Sequence, residues 1–495
     1  MSRKFDFETL EPRGVLSWFK KICAIPHGSY NEAALADMLK HELNKAGCYV
    51  KQFSSGAILA RKKATKGYEK KPTVLLQAHM DMVLTKRADV KIDLNTTPIK
   101  PFYDTTDGYI KCDGTTLGAD NGIGVAAIME IMTSNKYNHG PLEALLSVTE
   151  EIDIQYCMNS IPKKSFKAKH LLNLDIESPE KMYTSSNGAN RVVCERPLVY
   201  KPVHKGTKTY LVQISHLDGG HSALAVHNPL SNAITLLCEA MYSFTQDHSK
   251  VSLVSIDGGN AFNAIPRKAD MVIQADPKDL PELKKHLRHA LDVAITMAQG
   301  LDKEGRITVK LADKQVKQAC DYDETEQILW FFAYIPTGIE KMDITMKHIF
   351  ASHNVGIVKT ENNILKVSMM PRCFFSDGLE YQFNKLRYFG TKFGFRNFQH
   401  LLTCVPWLTE HPDKVEIAQT WSKCFTKVTG RYTFPAKDPG GIEPAAIIDN
   451  SPQLLNHAVA VGPRMYDCHS PLERVEVKSI VEWWKTLLLV LKEIK

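Results

Sequence analysis

The 495-residue sequence contains no run of about eighteen apolar residues, the length that a membrane-spanning helix requires. Residues 1–14 (MSRKFDFETLEPRG) carry acidic side chains and have no apolar core of the kind found in secretory signals. These two absences predict a protein that has no membrane partner.

Closely spaced cysteine pairs are also missing. The sequence has 11 cysteines, an odd number, and no CxxC motif. This excludes the cysteine frameworks of zinc ribbons and small secreted domains, and it is typical of buried thiols in a reducing compartment. We therefore expect a cytoplasmic protein.

A strong excess of one charge is absent as well. The net charge of +7 is small for this length, and the basic residues are dispersed. The densest basic cluster, residues 61–71 (RKKATKGYEKK), lies between two apolar segments and is most simply a solvated hairpin or loop. Because a nucleic-acid surface needs a basic face with interleaved aromatic residues, no nucleic-acid partner is expected.

Residues 75–83 (LLQAHMDMV) form an apolar segment that ends in a histidine and an aspartate two residues apart. Residues i and i+2 of a strand point to the same side, so His79 and Asp81 can face one pocket. An imidazole binds metal best when a carboxylate holds its other N–H, and Asp81 is placed to do so. Alone, the pattern also fits a hydrogen-bonded core or surface histidine.

Three further segments place a carboxylate where a buried strand or tight loop ends. They are residues 115–124 (TTLGADNGIG, with Asp120), 142–152 (LEALLSVTEEI, with Glu150 and Glu151) and 171–178 (LLNLDIES, with Asp175). Such residues are commonly helix caps or turn residues, but open α/β sheets bind ligands at these strand ends. Because Glu150 and Glu151 would point opposite ways in a regular strand, the chain must turn there.

Residues 465–477 (MYDCHSPLERVEV) supply a remote histidine. Ser470 resembles a helix N-cap, Pro471 would be the first helical residue, and Glu473 would complete a capping box. This pattern predicts that His469 lies just before a helical turn.

The hydrophobic spacing predicts helices at residues 14–25, 31–46 and 479–494, the second of them ending at Gly47. Short apolar strands alternate with helices as far as Asp175, which indicates a βα domain with parallel strands. The two ends of the chain together would build this domain. The pattern changes between residues 188 and 403, where strand-like segments flank amphipathic stretches.

These motifs resemble the M20 family of metallopeptidases, and within it the branch of aminoacyl-histidine dipeptidases, also called cytosol non-specific dipeptidases or peptidase D. The resemblance covers nearly the whole chain, with matching motif order and spacing. It also includes LSWFKKICAIP and NE at residues 16–26 and 31–32, GGHS at 219–222, GGNAFNAIPR at 258–267 and HSPLERV at 469–475.

The resemblance implies an α/β fold, in which a zinc-peptidase catalytic domain with a mixed sheet flanked by helices carries an inserted α+β lid domain. The catalytic domain would comprise residues 1–187 and 404–495. The lid and dimerisation domain would comprise residues 188–403. Since relatives commonly pair through the lid, a homodimer is expected.

The resemblance also implies a centre of two divalent metal ions, most simply Zn²⁺, although Co²⁺ or Mn²⁺ would suit the same ligand types. The implied ligands are His79 and Asp175 for one ion, Glu151 and His469 for the other, and Asp120 as the bridge. Asp81 would orient His79. Glu150 would be the general acid/base that acts on a shared water, whose pKa would fall to about 7, in the hydrolysis of a peptide bond.

The implied substrate is an unblocked dipeptide such as Xaa-His. His221, Asn263 and Arg372 match lid positions that contact it: His221 would hydrogen-bond the developing oxyanion, and Arg372 would bind the α-carboxylate. Without the resemblance, they would be interpreted as a turn histidine, a loop asparagine and a surface arginine. The segment around Arg372, VSMMPRCFFS, departs from the sequence motif that the family usually has at this position.

A second departure lies at residues 439–445, which read PGGIEPA where related enzymes show HAGLECG. Gly441, a candidate substrate contact, and Glu443 remain, but a histidine and a cysteine are missing. This departure leaves the substrate preference open, but it does not affect the expected metal chemistry.

Three alternatives stay open. Gly122, Gly124 and Ala127 spell the GxGxxA of a dinucleotide-binding fingerprint, although no apolar strand directly precedes them. The chain could also hydrolyse N-acyl amino acids or longer peptides. A catalytically silent binding relative is the third alternative, but all the candidate ligands and Glu150 are present.

Overall fold

The computed structural model describes residues 4–345 and 347–495. The chain forms two compact units: unit 1 is Met1–Ser186 with Trp407–Lys495, and unit 2 is Asn187–Pro406. Unit 1 is thus built from both ends of the chain, and unit 2 from one continuous segment.

The helices predicted at residues 14–25, 31–46 and 479–494 are confirmed to within two residues at each end. The α-helices of the described residues are α1 (Arg13–Cys23), α2 (Ala33–Lys45), α3 (Ala119–Thr133), α4 (Ile154–Asn159), α5 (Ala233–Asp247), α6 (Leu280–Met297), α7 (Tyr322–Tyr334), α8 (Ser376–Lys392), α9 (Glu416–Thr429), α10 (Glu443–Asn450) and α11 (Val477–Glu493). Gly47 follows α2 with a φ of 79°, a conformation that stops a helix and favours glycine.

The strands of unit 1 are β1 (Lys4–Phe5), β2 (Tyr49–Gln52), β3 (Ile58–Lys62), β4 (Val74–His79), β5 (Phe102–Asp104), β6 (Tyr109–Lys111), β7 (Leu142–Ser147), β8 (His170–Asn173), β9 (Lys181–Ser186), β25 (Phe434–Asp438), β26 (Ala458–Ala460), β27 (Met465–Tyr466) and β28 (Arg474–Glu476). The main sheet has the order β2-β3-β7-β4-β8-β26-β9-β25. Its centre is parallel, from β7 through β4 and β8 to β26, whereas β2 and β3 are antiparallel. The prediction of a mixed sheet flanked by helices is confirmed.

Strands β4, β7 and β8 are buried along their whole length, which explains why they are nearly continuous apolar segments rather than alternating ones. Helix α3 packs against β4 and α1. An added Cβ at Gly122 would lie 3.0 Å from the ring of Phe19, and one at Gly124 would lie 2.9 Å from the carbonyl oxygen of Leu174. These glycines therefore serve close helix packing inside α3, and the strand-turn-helix context of a dinucleotide fingerprint does not surround them.

The strands of unit 2 are β10 (Gly188–Pro197), β11 (Tyr200–Pro202), β12 (Lys208–Ser215), β13 (Gly220–His221), β14 (Ser252–Gly258), β15 (Ala264–Ile265), β16 (Ala269–Ala275), β17 (Arg306–Leu311), β18 (Gln318–Cys320), β19 (Gly338–Met342), β20 (Ile349–His353), β21 (Val355–Glu361), β22 (Ile364–Met369), β23 (Arg372–Cys373) and β24 (Arg396–Cys404). The large sheet has the order β17-β12-β16-β14-β21-β22-β10-β23-β20-β19, and β24 also pairs with β10. The predicted α+β character of this segment is confirmed.

Unit 2 contains the same βαββαβ connectivity twice. The first half runs β12-α5-β14-β16-α6-β17, and the second runs β10-α7-β21-β22-α8-β24, with the first half inserted between β10 and α7. The halves meet where β14 pairs with β21 and where α5 packs on α7. One hydrophobic core, including Val212, Ile234, Phe331 and Val367, continues through both halves.

No helix in the two described stretches combines the length and hydrophobicity that a membrane crossing needs. The cysteines are all described and are free thiols; Cys468 alone is half-buried, and the others are buried.

Candidate metal centre

Three candidate ligands and the proposed base follow the parallel strands at the centre of the unit 1 sheet. His79 is the last residue of β4, Glu150 and Glu151 follow β7, and Asp175 follows β8. Since parallel strands end at the same edge of a sheet, the topology gathers these side chains there.

Asp120 lies between the two histidines. Its Oδ1 is 3.2 Å from Nε2 of His79, and its Oδ2 is 3.2 Å from Nε2 of His469. A carboxylate that offers one oxygen to each of two imidazole nitrogens has the arrangement that a bridging metal ligand requires.

The remaining two carboxylates flank this bridge. Asp175 Oδ1 lies 3.4 Å from Nε2 of His79, and Glu151 Oε2 lies 2.9 Å from Nε2 of His469. Ligand atoms of His79, Asp120 and Glu151 all lie within 4.8 Å of one another. The structure thus brings together all five residues that the sequence predicts as ligands.

Charge in this cluster favours a cation. Burial lowers the pKa of His79, but the neighbouring Asp175 and Asp120 outweigh burial and raise that pKa well above its usual value. Burial likewise opposes protonation of His469, yet hydrogen bonds with Asp120 and Glu151 raise its pKa to about 11. Burial and the charge of Asp120 raise the pKa of Glu151 to about 7. Protonated imidazoles therefore balance the carboxylates, and a divalent cation could replace those protons.

The donor set fits a metal of the zinc, cobalt or manganese type, because it consists of imidazole nitrogens and carboxylate oxygens. Glu151 Oε1 is buried without a hydrogen-bond partner among the described residues, as expected of a ligand atom whose partner is an ion.

Asp81 connects His79 to the segment that carries Glu150. Nδ1 of His79 lies 2.9 Å from the backbone carbonyl of Asp81 and 3.4 Å from its carboxylate Oδ1, so the carbonyl is the nearer partner. The carboxylate accepts hydrogen bonds from the backbone N–H groups of Glu150 and Glu151 at 3.0 and 3.2 Å, and from the Ser29 hydroxyl at 2.8 Å. Asp81 therefore contacts the histidine chiefly through its backbone carbonyl, and its carboxylate holds the loop after β7.

The turn predicted between Glu150 and Glu151 begins one residue earlier. Thr149 has a φ of 61°, and its backbone N–H and hydroxyl both donate to Glu32 Oε1, at 2.8 and 2.9 Å. Glu32 belongs to the NE pair of the family resemblance, but its spacing from residue 149 gave no indication of this contact.

The capping box predicted at residues 470–473 is wrong. The chain forms a turn there, β28 follows, and the helix α11 begins only at Val477. The Glu473 carboxylate accepts four backbone N–H groups instead: Oε2 accepts those of Leu117 and Gly118 at 2.7 and 3.1 Å, and Oε1 accepts those of Ala119 and Asp120 at 2.8 and 3.3 Å. The prediction fails because the Glu473 carboxylate finds its hydrogen-bond donors in a remote loop rather than in a local helix. That loop is the one that carries Asp120.

The candidate substrate residues of unit 2 gather around Ser222. The exposed His221 precedes Ser222, the backbone carbonyl of Asn263 accepts the Ser222 N–H at 2.8 Å, and Nη2 of Arg372 lies 3.4 Å from the Ser222 hydroxyl. Arg372 is only 4% exposed, so its interpretation as a surface arginine is wrong. Gly441 lies in unit 1, half-buried, two residues before α10.

Comparison with known proteins finds similar peptidases. Residues 203–295 match the model of the peptidase dimerisation domain of the M20 family, and they cover most of the first half of unit 2. The cytosol non-specific dipeptidase of Escherichia coli K12 is 29% identical over 494 residues, which are 99% of each chain. The aminoacylhistidine dipeptidase of Vibrio alginolyticus has a similar structure, with a TM-score of 0.84, 26% identity and coverage of 99% of this chain and 98% of that one.

Human carnosine dipeptidase 1 shares the fold alone, with a TM-score of 0.52, 12% identity and coverage of 97% and 96%. The chain thus contains a segment that matches a domain of M20 peptidases, is similar over nearly its full length to two dipeptidases, and is a hydrolase.

Proposed function

We propose that this chain is a metal-dependent dipeptidase that hydrolyses unblocked dipeptides, Xaa-His among them. The observation that carries the proposal is the placement of Asp120 between Nε2 of His79 and Nε2 of His469. The proposal is further supported by likeness over nearly the full length to an E. coli protein named a cytosol non-specific dipeptidase.

In this proposal, His79 and Asp175 would hold one divalent ion, Glu151 and His469 would hold the other, and Asp120 would be shared between the two. Zn²⁺ is the preferred identity, and Co²⁺ or Mn²⁺ suit the same donors. When bound, such a pair supplies a Lewis acid for the scissile carbonyl and lowers the pKa of a shared water to about 7.

Glu150 is the proposed general acid/base. It takes a proton from the attacking water on its carboxylate and delivers it to the amine nitrogen of the departing residue. The hydrogen bond from its own N–H to Asp81 Oδ1, at 3.0 Å, orients the residue. Burial, together with the charges of Asp175 and Glu151, raises the pKa of Glu150 well above its usual value, which suits a group that accepts and then returns a proton.

Substrate recognition is assigned to His221, Asn263, Arg372 and Gly441. The guanidinium of Arg372 suits the α-carboxylate of a dipeptide, because planar paired N–H donors match a carboxylate. His221 suits the oxyanion that forms on the scissile carbonyl. The PGGIEPA segment lacks the histidine and the cysteine that related enzymes have there, and this difference would alter the substrate preference.

The testing experiment is a panel of substrates. It contains Xaa-His and β-Ala-His, other unblocked dipeptides, their N-acetylated analogues, and tripeptides. We expect turnover of the unblocked dipeptides alone. Preference for the N-acetylated compounds or for tripeptides would instead identify an N-acyl-amino-acid or short-peptide hydrolase of the same superfamily.

The control variant is Glu150→Ala. It should retain the bound metal and lose at least about a hundredfold in turnover, the lower range for a general acid/base. A wild-type protein that binds metal but hydrolyses none of the panel would indicate a silent binding relative and contradict the proposal.

We further propose a homodimer in the cytoplasm, supported by the match to the dimerisation domain and by eleven free cysteines. Light scattering coupled to gel filtration should give twice the chain mass, and a monomer would contradict this.

A further inference from the structure

A group of polar side chains lies buried directly behind the metal-binding edge of the unit 1 sheet. Gln77 precedes His79 by two residues on β4, Asn173 precedes Asp175 by two at the end of β8, and Ser147 ends β7. Gln77, Asn173 and Ser147 are each 0% exposed. Buried polar groups of this kind must satisfy one another, so their mutual bonds define their positions.

Gln77 and Asn173 join the strands that carry His79 and Asp175. They are register partners in the parallel pair of β4 and β8, and the Asn173 side-chain amide donates to Gln77 Oε1 at 2.6 Å. The other end of the Asn173 side chain accepts the backbone N–H of Asp175 at 3.2 Å. A continuous set of bonds thus leads from the histidine strand to the backbone of the aspartate ligand.

Glu443, the first residue of α10, closes this network from the other side. It is 0% exposed, and its Oε2 accepts hydrogen bonds from the Gln77 side-chain amide and, at 2.7 Å, from the Ser147 hydroxyl. An amide has a donor end and an acceptor end, so the bond to Glu443 turns Gln77 Oε1 toward Asn173.

We propose that Glu443 is a positioning residue for the metal ion assigned to His79 and Asp175, acting through Gln77 and Asn173. This inference rests on the proposed two-metal centre. Glu443 is assigned this role through Oε2, which is occupied by Gln77 and Ser147. Its Oε1 is buried without a hydrogen-bond partner among the described residues, but Glu443 belongs to neither group of candidate ligand atoms that lie within 4.8 Å of one another. Burial raises the pKa of Glu443 to about 8, and the assignment is carried by the hydrogen bonds of its Oε2 rather than by its charge.

The test is a titration of metal-free protein with Zn²⁺ in competition with a chromogenic chelator, which yields both stoichiometry and affinity. Glu443→Leu removes the acceptor at nearly the same volume, and it should weaken one of the two ions by at least about tenfold while leaving the other unchanged. Glu443→Gln retains an oxygen for the same two donors and should restore most of that affinity.

Glu143→Gln is the matched control. Glu143, like Glu443, is a buried carboxylate, and it lies on β7 about 13 Å along the strand from Ser147. It bonds Arg61 and the backbone N–H groups of residues 167 and 168, which lie outside the network of Gln77 and Asn173. This variant should lower thermal stability and leave both metal affinities unchanged. Asn173→Ala interrupts the network without touching Glu443, so it should weaken the same single ion even if the leucine variant does not fold.

Three results would overturn the inference. The first is that Glu443→Leu or Asn173→Ala binds two zinc ions as tightly as the wild type does. The second is that Glu443→Leu and Glu443→Gln weaken zinc binding equally, and the third is that the Glu143→Gln control weakens it as much as Glu443→Leu does. Failure of the proposed function is distinguishable from these, since a wild-type protein that binds fewer than two ions refutes the metal centre itself.

Discussion

Replacing Glu473 by glutamine should detach the loop that presents Asp120. In the wild-type protein each oxygen of the Glu473 carboxylate accepts two backbone N–H groups from residues 117–120, at 2.7 to 3.3 Å. An amide can keep only one of these oxygens, and its NH₂ group then faces two N–H donors that have lost their acceptor. Burial and the charge of Asp120 raise the pKa of Glu473 to about 7. Above that pH two buried bonds to a charged group are lost, each worth about 1.5–3 kcal/mol, so the total effect is about 3–6 kcal/mol.

Part of this loss should lower the stability of the folded protein, and part should weaken metal binding. We expect Glu473→Gln to lower the free energy of unfolding in urea, measured on metal-free protein, and to weaken Zn²⁺ binding by at least about tenfold. Both ions should be affected, because the displaced residue is the proposed bridge between them. This distinguishes the variant from Glu443→Leu, for which a single ion should weaken.

Glu143→Gln provides the comparison here too, because the Glu143 carboxylate also accepts two backbone N–H groups, at 2.8 and 3.0 Å. Should Glu473→Gln lose stability as Glu143→Gln does but bind Zn²⁺ like the wild type, the carboxylate merely stabilises a loop, and the reasoning about Asp120 is refuted.

Three further outcomes are expected. Asp81→Asn should weaken the ion at the His79 site by about tenfold to a hundredfold and lower turnover, measured by metal titration and dipeptide hydrolysis; unchanged affinity would contradict the orienting role. Glu32→Ala removes the acceptor of the turn at Thr149, so turnover should fall by about tenfold or more with metal content preserved, and Glu32→Gln should restore it; equal activity in both variants would refute the role. Burial lowers the pKa of His170 to about 4, so the folded state binds its proton less readily than the unfolded state, and up to about 3 kcal/mol of stability should be lost as the pH falls from about 6.5 to 4. His170→Phe should flatten that part of the urea-stability profile, and an unaltered slope would contradict the prediction.

Much of the proposed metal centre could be predicted from the sequence because its residues follow local patterns. The apolar strands β4, β7 and β8 are readable as uninterrupted runs, and the side chains at their ends must meet wherever the strands are parallel and adjacent. His469 lies nearly three hundred residues or more from the other ligands along the chain, and only the family resemblance assigns it a role as a ligand.

The residues that hold the ligands in place could not be predicted in this way. Glu473 has the spacing of a local capping box and bonds instead to a loop about 350 residues earlier in the chain. Glu32 and Glu443 each meet a partner far away in sequence. A glutamate carries no sign of which remote N–H or amide it will satisfy, because that depends on packing that is settled only when the fold is complete.

The topology of unit 2 also depends on contacts between remote segments that the sequence does not reveal. Its strands and amphipathic helices have readable patterns, but the pairing of β14 with β21 joins two βαββαβ halves, one inserted into the other. Both strands read as ordinary strands, so their pairing could not be inferred from either segment.

The most direct test of the metal centre is a crystal structure of the protein loaded with Zn²⁺, with anomalous differences measured on both sides of the zinc absorption edge. Two anomalous peaks per chain are expected, about 3.5–4 Å apart, with one oxygen of Asp120 facing each. A single peak, or zinc bound away from His79, Asp120 and His469, would contradict the account.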